Sequence, residues 1–407
     1  MADPTILAAS HMLDVTAGTW LTDRRLVIRE DGRIESVLRA EDAAPTNARM
    51  VDVPDGWLIP GLVDCHSHLI GDPEDAAIPA IVSSPAHDVL AGVRHARATL
   101  AAGFTSVRDV GTFRAFADVV LRDAIEAGAT PGPRMQCAGA YVTAPGGGGD
   151  ITGLPDGTEI PADLQFAVVR TTADVRDRVA RLIDGGATLV KVIVTGAVLT
   201  RGTTPGAVEL GQAMIAAAVD EATRRGVFVA AHAHGAEGIK IAIRAGVRSI
   251  EHGSLIDDEG IDLLVRSGTW LVADVYDGDW IAQEGARAGW PAETMAKNEL
   301  TTEAQRSGFT RAVAAGARIA FGTDSGVYPH GMNAIQFGYQ VRLGQTPLAA
   351  IRSATTEAAR LMGWEDRIGA LEPGRYADAV VLPADPLSDV EVLRTPRAVV
   401  KSGLRVS

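Results

Sequence analysis

Six times in its central part the sequence leaves a helix-like stretch through a glycine and enters a short apolar run. The junctions are Ala102-Gly103-Phe104, Gly185-Gly186-Ala187, Arg225-Gly226-Val227, Ala245-Gly246-Val247, Ser267-Gly268-Thr269 and Ala315-Gly316-Ala317. Glycine just past a helix takes the left-handed conformation at no steric cost. The runs that follow, such as Leu189-Val190-Lys191-Val192-Ile193-Val194, lack alternation and fit strands covered on both faces. Between them the period is helical: in 88–102, Val89, Leu90, Val93, Ala96 and Leu100 recur at that spacing. Adding the run Trp57–Cys65 and a strand at Arg134–Ala138 gives eight strands alternating with helices. The pattern predicts an α/β chain with a parallel sheet closed as a (β/α)8 TIM-like barrel. An open doubly wound sheet is the alternative, but the chain carries no glycine fingerprint for a dinucleotide.

The two ends read differently. Ile6–Ala9, Arg25–Ile28 and Ile34–Leu38 are short strand candidates, with Asp31-Gly32 as a hairpin turn. Ala377–Leu382 and Ala398–Leu404 have the same texture. The expected organisation is a small β-sandwich-like domain from residues 1–56 plus 373–407, flanking a barrel over 57–372. Residues 143–165, with Gly146-Gly147-Gly148-Gly149, are too rich in glycine for a strand or helix. A long loop after the third strand lies on the barrel's functional face and is expected to cover substrate.

Composition narrows the partners. With 38 Lys and Arg against 51 Asp and Glu, the formal charge is −13. Nucleic acid and anionic membrane both need clustered cations, so neither is expected. Cys65 and Cys137 are the only cysteines, and they suggest neither a disulfide framework nor a thiolate zinc motif. No basic-then-apolar segment opens the chain and no run is long enough to span a bilayer, so the expected location is cytoplasmic.

Six polar residues mark the predicted strand ends: His66, His68, Lys191, His232, His252 and Asp324. In a barrel, side chains at the C-terminal ends of the strands converge on the active site. His66 and His68, two apart in an extended run, share a face. Singly, each has an ordinary explanation: a histidine ending a buried strand is usually just hydrogen-bonded, and Asp324 could cap a helix. Lys191 is harder to explain away. It interrupts an apolar strand, where an ammonium costs several kcal/mol unless paired or neutralised. A buried lysine must shift its pKa or change its chemistry. A divalent metal cluster accommodates neutral imidazoles and anionic oxygens together.

These motifs carry a family resemblance. Pro60-Gly61-Leu62-Val63-Asp64-Cys65-His66-Ser67-His68, Lys191, Ala231-His232-Ala233-His234-Gly235, Ser249-Ile250-Glu251-His252-Gly253 and Gly322-Thr323-Asp324-Ser325-Gly326 resemble those of the amidohydrolase superfamily. The tail Leu371-Glu372-Pro373-Gly374-Arg375-Tyr376-Ala377-Asp378 is similarly typical, so the resemblance covers essentially the whole chain. It looks most like the binuclear branch of Xaa-Pro dipeptidases and ochratoxin-type amidases. That resemblance implies two divalent ions, zinc by ligand type, with a carboxylated Lys191 bridging them. His66, His68 and Asp324 would hold the first ion, and His232 and His252 the second. A metal-bridging hydroxide would attack an amide or peptide carbonyl, with Asp324 as base and then acid. His234 would contact the substrate carbonyl or the transition state. The substrate is a small molecule, and relatives often form homo-oligomers. Where relatives often carry Gly-Gly-His-Gly, this chain has Gly148 in the histidine's place. Tyr141, Arg201, Tyr276 and Tyr328 lie near strand ends and are further candidates for substrate contact.

Two other readings compete. Deaminases of the superfamily commonly place a Glu three residues after the fifth-strand histidine. Gly235 stands there, and a mononuclear deaminase or imidazolonepropionase-like enzyme would leave Lys191 without a role. A catalytically dead scaffold usually loses ligands, and none is missing.

Overall fold

The structure is a computed structural model, and it describes residues 4–70 and 81–407. The N-terminal strands β1 (Thr5–Asp14), β2 (Thr19–Ile28) and β3 (Ile34–Arg39) pair antiparallel in that order. The Asp31-Gly32 turn between β2 and β3 forms as expected. Gly32 has φ 77°, and Asp31 Oδ1 accepts the Arg33 amide at 3.1 Å. Along its other edge β1 pairs in parallel with β4 (Arg49–Met50) and β5 (Trp57–Pro60).

The chain then changes sheets at one residue. The run Trp57–Cys65, expected as a single barrel strand, divides at Gly61 into β5 and β6 (Leu62–Ser67). A Cβ on Gly61 would meet Thr105 Oγ1 at 2.2 Å and Asp378 Cβ at 2.9 Å, so only glycine fits this crossing. Trp57–Pro60 therefore belongs to the terminal sheet rather than to the parallel strands that follow.

From Leu62 onward parallel strands alternate with helices. β6 pairs with β7 (Phe104–Asp109), and β7 with β8 (Arg134–Cys137). A five-stranded sheet contains β9 (Tyr141–Val142), β10 (Val190–Ile193), β11 (Val229–Gly235), β12 (Ser249–Leu255) and β13 (Trp270–Val272). The helices α1 (Pro85–Ala101), α2 (Ala117–Glu126), α3 (Thr172–Asp184), α4 (Gln212–Arg224), α5 (Ala236–Arg244) and α6 (Asp258–Ser267) lie between these strands. After β13 come α7 (Asp277–Ala288) and α8 (Ala292–Ala314). Backbone hydrogen bonds join the two parallel sheets at both seams. Cys137 O accepts from the Thr188 and Leu189 amides at 2.8 and 3.3 Å. On the other side, Leu271 N donates to Arg318 O and Cys65 N to Phe321 O, both at 2.8 Å. The eighth expected strand, 317–322, thus forms single bridges rather than a regular strand, yet it links β13 to β6. This ring of parallel runs has the connectivity expected of a barrel.

Each of the six junctions holds one glycine of positive φ: 97° at Gly103, 102° at Gly186, 71° at Gly226, 90° at Gly246, 69° at Gly268 and 77° at Gly316. Alternation along the strands divides two environments. Val190, Val192, Val194, Ala231, Ala233 and Ile250 pack with Ile215, Ile239, Ala242 and Leu264 of the surrounding helices. Lys191, His232, His234 and Glu251, their alternates, are buried polar residues.

After the α-helix Thr356–Met362, β14 (Ala379–Leu382) returns to pair antiparallel with β5. It is followed by β15 (Ala398–Lys401) and β16 (Leu404–Arg405). Both ends of the chain therefore build one eight-stranded sheet. Its β3 edge meets the returning chain, where Ile34 N donates to Arg375 O at 2.8 Å.

Candidate metal centre

His66 is the penultimate residue of β6 and His68 follows that strand. Each ring is fixed at Nδ1. His66 Nδ1 lies 2.9 Å from Glu251 Oε2, and His68 Nδ1 lies 2.7 Å from Gly111 O. Those acceptors take the Nδ1 proton and leave Nε2 as a lone pair. Both Nε2 atoms face one oxygen, Asp324 Oδ1, at 3.4 Å from His66 and 3.1 Å from His68. His66 Nε2 is buried and has no hydrogen-bond partner.

His252 and His234 repeat the arrangement, whereas His232 meets Gly196 O through Nε2 at 3.3 Å. His252 Nδ1 is 2.8 Å from Asp274 Oδ2, and His234 Nδ1 is 2.7 Å from Ser254 Oγ. The rings of His232, His234 and His252 lie with centroids 4.5–4.7 Å apart, and His66 is 4.7 Å from His252. Ligand atoms of His232, His234 and His252 fall within 4.8 Å of one another, as do those of His66, His252 and Asp324. His234, expected as a substrate contact, therefore stands within ligand distance of the two histidines beside it.

Electrostatics separate the groups. Burial, with the neighbouring imidazoles His234 and His252, holds His232 well below its ordinary value. Burial and His252 bring His234 down to about 3, so both rings are neutral. Burial also lowers His68, against the pull of Asp324. His66 moves the other way: burial and Lys191 oppose its charge, but the carboxylates of Asp324 and Glu251 outweigh them. Burial opposes the charge of Asp324 too, but His66 and His68 hold it well below the usual carboxylate range. The pocket thus attracts positive charge at Asp324.

Lys191 lies inside β10 rather than at its end, in register with Tyr141 and Ala230. It is 1% exposed, and its side chain makes no hydrogen bond or ion pair among the described residues. Burial lowers its pKa to about 8, despite Glu251 and Asp324, so about a tenth of the amine is neutral at pH 7, far more than for an ordinary lysine. Its charge is felt by His66, His68, His232 and His234.

The donor set fits divalent cations: imidazole nitrogens with lone pairs exposed, a carboxylate oxygen among them, an orphaned buried Nε2 and no thiolate.

Backbone strain accompanies the site. His252 and Asp324 have φ values of 66° and 54°, unusual for residues with a Cβ. The Asp324 segment is anchored to β6. Its amide donates to His66 O at 2.8 Å, and Asp64 Oδ2 accepts from Thr323 Oγ1 at 2.5 Å and Asn333 Nδ2 at 2.7 Å.

The four expected substrate contacts separate. Tyr141 reaches the site, its hydroxyl 3.1 Å from His68 Nδ1. Tyr276 is half-buried, with its ring 5.1 Å from that of Tyr328. Tyr328 is wholly buried, so it packs the wall and presents no surface to a substrate. Arg201 is exposed and lies over Gly153, with no contact to the histidines among the described residues. Gly148 is closed in: a Cβ there would sit 3.1 Å from Ala197 N, Ala197 Cβ and Ile193 Cγ2. Its amide donates to Glu209 Oε2 at 2.7 Å and its carbonyl accepts from Thr200 Oγ1 at 2.6 Å. The glycine loop is thereby tied to the loop after β10.

Sequence reasoning missed the carboxylates behind the histidines. Glu251 also pairs with Arg108, at 2.7 and 2.9 Å, inside the ring of strands. Both are charges inside strands, as Lys191 is, but their strands carry other polar residues, so the signal was weaker. Gln305, which donates to Asp274, had no such signal, being one polar residue on a long helix.

Comparison with known proteins agrees with this geometry. An ochratoxinase from Aspergillus niger is 32% identical over 360 residues, covering 84% of this chain and 73% of that protein. A crystal structure of a Xaa-Pro dipeptidase with methionine bound in its active site superposes with a TM-score of 0.91. It has 31% identity and covers 99% of both chains. A prolidase structure complexed with N-methylphosphonate-L-proline gives 0.90, at 30% identity and 99% coverage of both. The model of the amidohydrolase family matches residues 57–406. The chain belongs to the amidohydrolase family and is a hydrolase acting on C–N bonds.

Proposed function

We propose that this hydrolase is binuclear and cleaves an amide or peptide bond in a small molecule of the dipeptide, Xaa-Pro or N-acyl amino acid type. The observation that carries the reading is the convergence of His66 Nε2 and His68 Nε2 on Asp324 Oδ1, at 3.4 and 3.1 Å. Three lone-pair donors facing one another in a buried pocket call for a cation between them. His66, His68 and Asp324 would hold one ion, and His232 and His252, with His234 beside them, the other. Zinc suits this nitrogen and oxygen set. Divalent ions there supply acidified water and polarisation of the scissile carbonyl.

The protein's own groups do the rest. Lys191 as a free amine would take up CO2, forming an N–C bond and releasing one proton, and the resulting carbamate would offer anionic oxygens to the ions. This accounts for an otherwise unpaired amine in an apolar strand. Asp324 accepts the proton of the attacking water and returns it to the leaving amine. Tyr141 borders the site through His68. The mononuclear deaminase reading needs a Glu at position 235. A Cβ there would meet Gly206 O at 2.4 Å, which leaves no room for that side chain.

Metal analysis combined with a substrate panel tests the proposal. The expected outcome is about two zinc ions per chain, a carbamate carbon signal after equilibration with 13CO2, and hydrolysis of dipeptides or N-acyl amino acids. One ion per chain, with no carbamate and activity only on cyclic C–N substrates, would favour the mononuclear alternative.

A further inference from the structure

His252 belongs to two of the three possible ligand groups among the described residues, and its backbone has a left-handed φ of 66°. Such a conformation persists only where the surroundings impose it. Two contacts do so from outside the strands. Asp274 Oδ2 takes the Nδ1 proton of His252 at 2.8 Å. Gln305, on α8 and 6% exposed, donates from Nε2 to Asp274 Oδ1 at 2.7 Å and to His252 O at 3.3 Å. A primary amide has two N–H donors. One Gln305 nitrogen therefore holds both the carboxylate that orients the imidazole and the carbonyl of the residue bearing it.

We propose that Gln305 is a positioning residue for the metal centre, clamping His252 through its backbone and through Asp274 so that Nε2 is presented to a divalent ion. The proposal rests on the binuclear reading above. The choice of residue follows from geometry. A hydrocarbon at 305 would leave Asp274 Oδ1 without this donor and release the strained carbonyl. A carboxylate at 305 would face Asp274 and the His252 carbonyl with acceptors alone. Either change frees the ring to turn, and groups behind metal ligands of this kind carry about 10–100-fold in affinity.

The test compares full-length wild type, Gln305→Met and the near-isosteric Gln305→Glu, stripped of metal and titrated with Zn2+ alone. Unfolding of each apo protein reports fold, and the visible bands of the Co2+-loaded protein report the ligand field. The expected result is two ions in wild type. In the variants one ion binds about 10–100-fold more weakly, with altered cobalt bands and folded apo protein. Two ions at wild-type affinity with unchanged bands in a folded variant would overturn the clamp and leave the binuclear reading standing. No metal bound by wild type would overturn both. If Gln305→Met does not fold, Gln305→Glu decides by the same measurements.

Discussion

Glu251 Oε2 lies 2.9 Å from His66 Nδ1, although the two residues are 185 positions apart in the chain. The same carboxylate holds the Arg108 guanidinium at 2.7 and 2.9 Å, and all three groups are buried. One anion therefore neutralises a buried cation and sets the tautomer of a candidate ligand. This couples the stability of the strands to the chemistry at their end.

Glu251→Leu should be costly. Removing one partner leaves the guanidinium uncompensated, which typically destabilises by about 3–5 kcal/mol. Urea unfolding of the apo protein measures this, and zinc titration of the surviving folded fraction should show weaker binding. A stability change below about 1 kcal/mol would mean that Arg108 finds another counter-charge.

Asp324→Asn keeps the size of the side chain and removes its capacity to carry the proton. We expect the fold and much of the metal to remain, while kcat falls about 10²–10⁴-fold. Metal content and steady-state rates on a dipeptide check this together. Wild-type rates in the variant would remove Asp324 from proton transfer.

Chelation should abolish hydrolysis, and added zinc should restore it. Because the ions bind only the folded pocket, zinc at about 100 times its Kd should add about 2.7 kcal/mol to stability for each ion bound. Differential scanning calorimetry with and without metal reads the shift. An apo protein as stable and active as the reconstituted one would contradict a metal centre.

Lys401 gives a pH signature far from the metal site. Burial, with Arg134 beside it, lowers its pKa from 10.5 to about 8 against the pull of Asp378. Its Nζ donates to Gly132 O. Between pH 8 and 10.5 the unfolded chain binds more protons at this group than the folded chain does. The contribution of Lys401 to stability therefore rises with pH across that window and is smallest below it. Relative to Lys401→Met, wild type should gain stability between pH 7.5 and 10 in urea unfolding. A constant difference would show that Lys401 titrates normally.

The periodicity of the chain alone determined the repeated strand–helix units and the left-handed glycines that end the helices, and it put His66, His232 and His252 on strands, although His232 and His252 lie at mid-strand rather than at the ends. These are local properties: burial pattern, φ preference and spacing act over a few residues. The buried charge of Lys191 was also visible, because an ammonium in an apolar strand needs an explanation wherever it occurs. Other features depended on groups distant in sequence. Gly61 divides one apolar run between two sheets because Thr105 and Asp378 crowd it. Tyr328 is interior while Tyr141 touches His68. The tautomers of His66 and His252 follow from Glu251 and from Asp274 held by Gln305. Tertiary structure alone decides such matters, since hydrogen-bond direction and close approach depend on which residues the closing ring of strands brings within 3 Å.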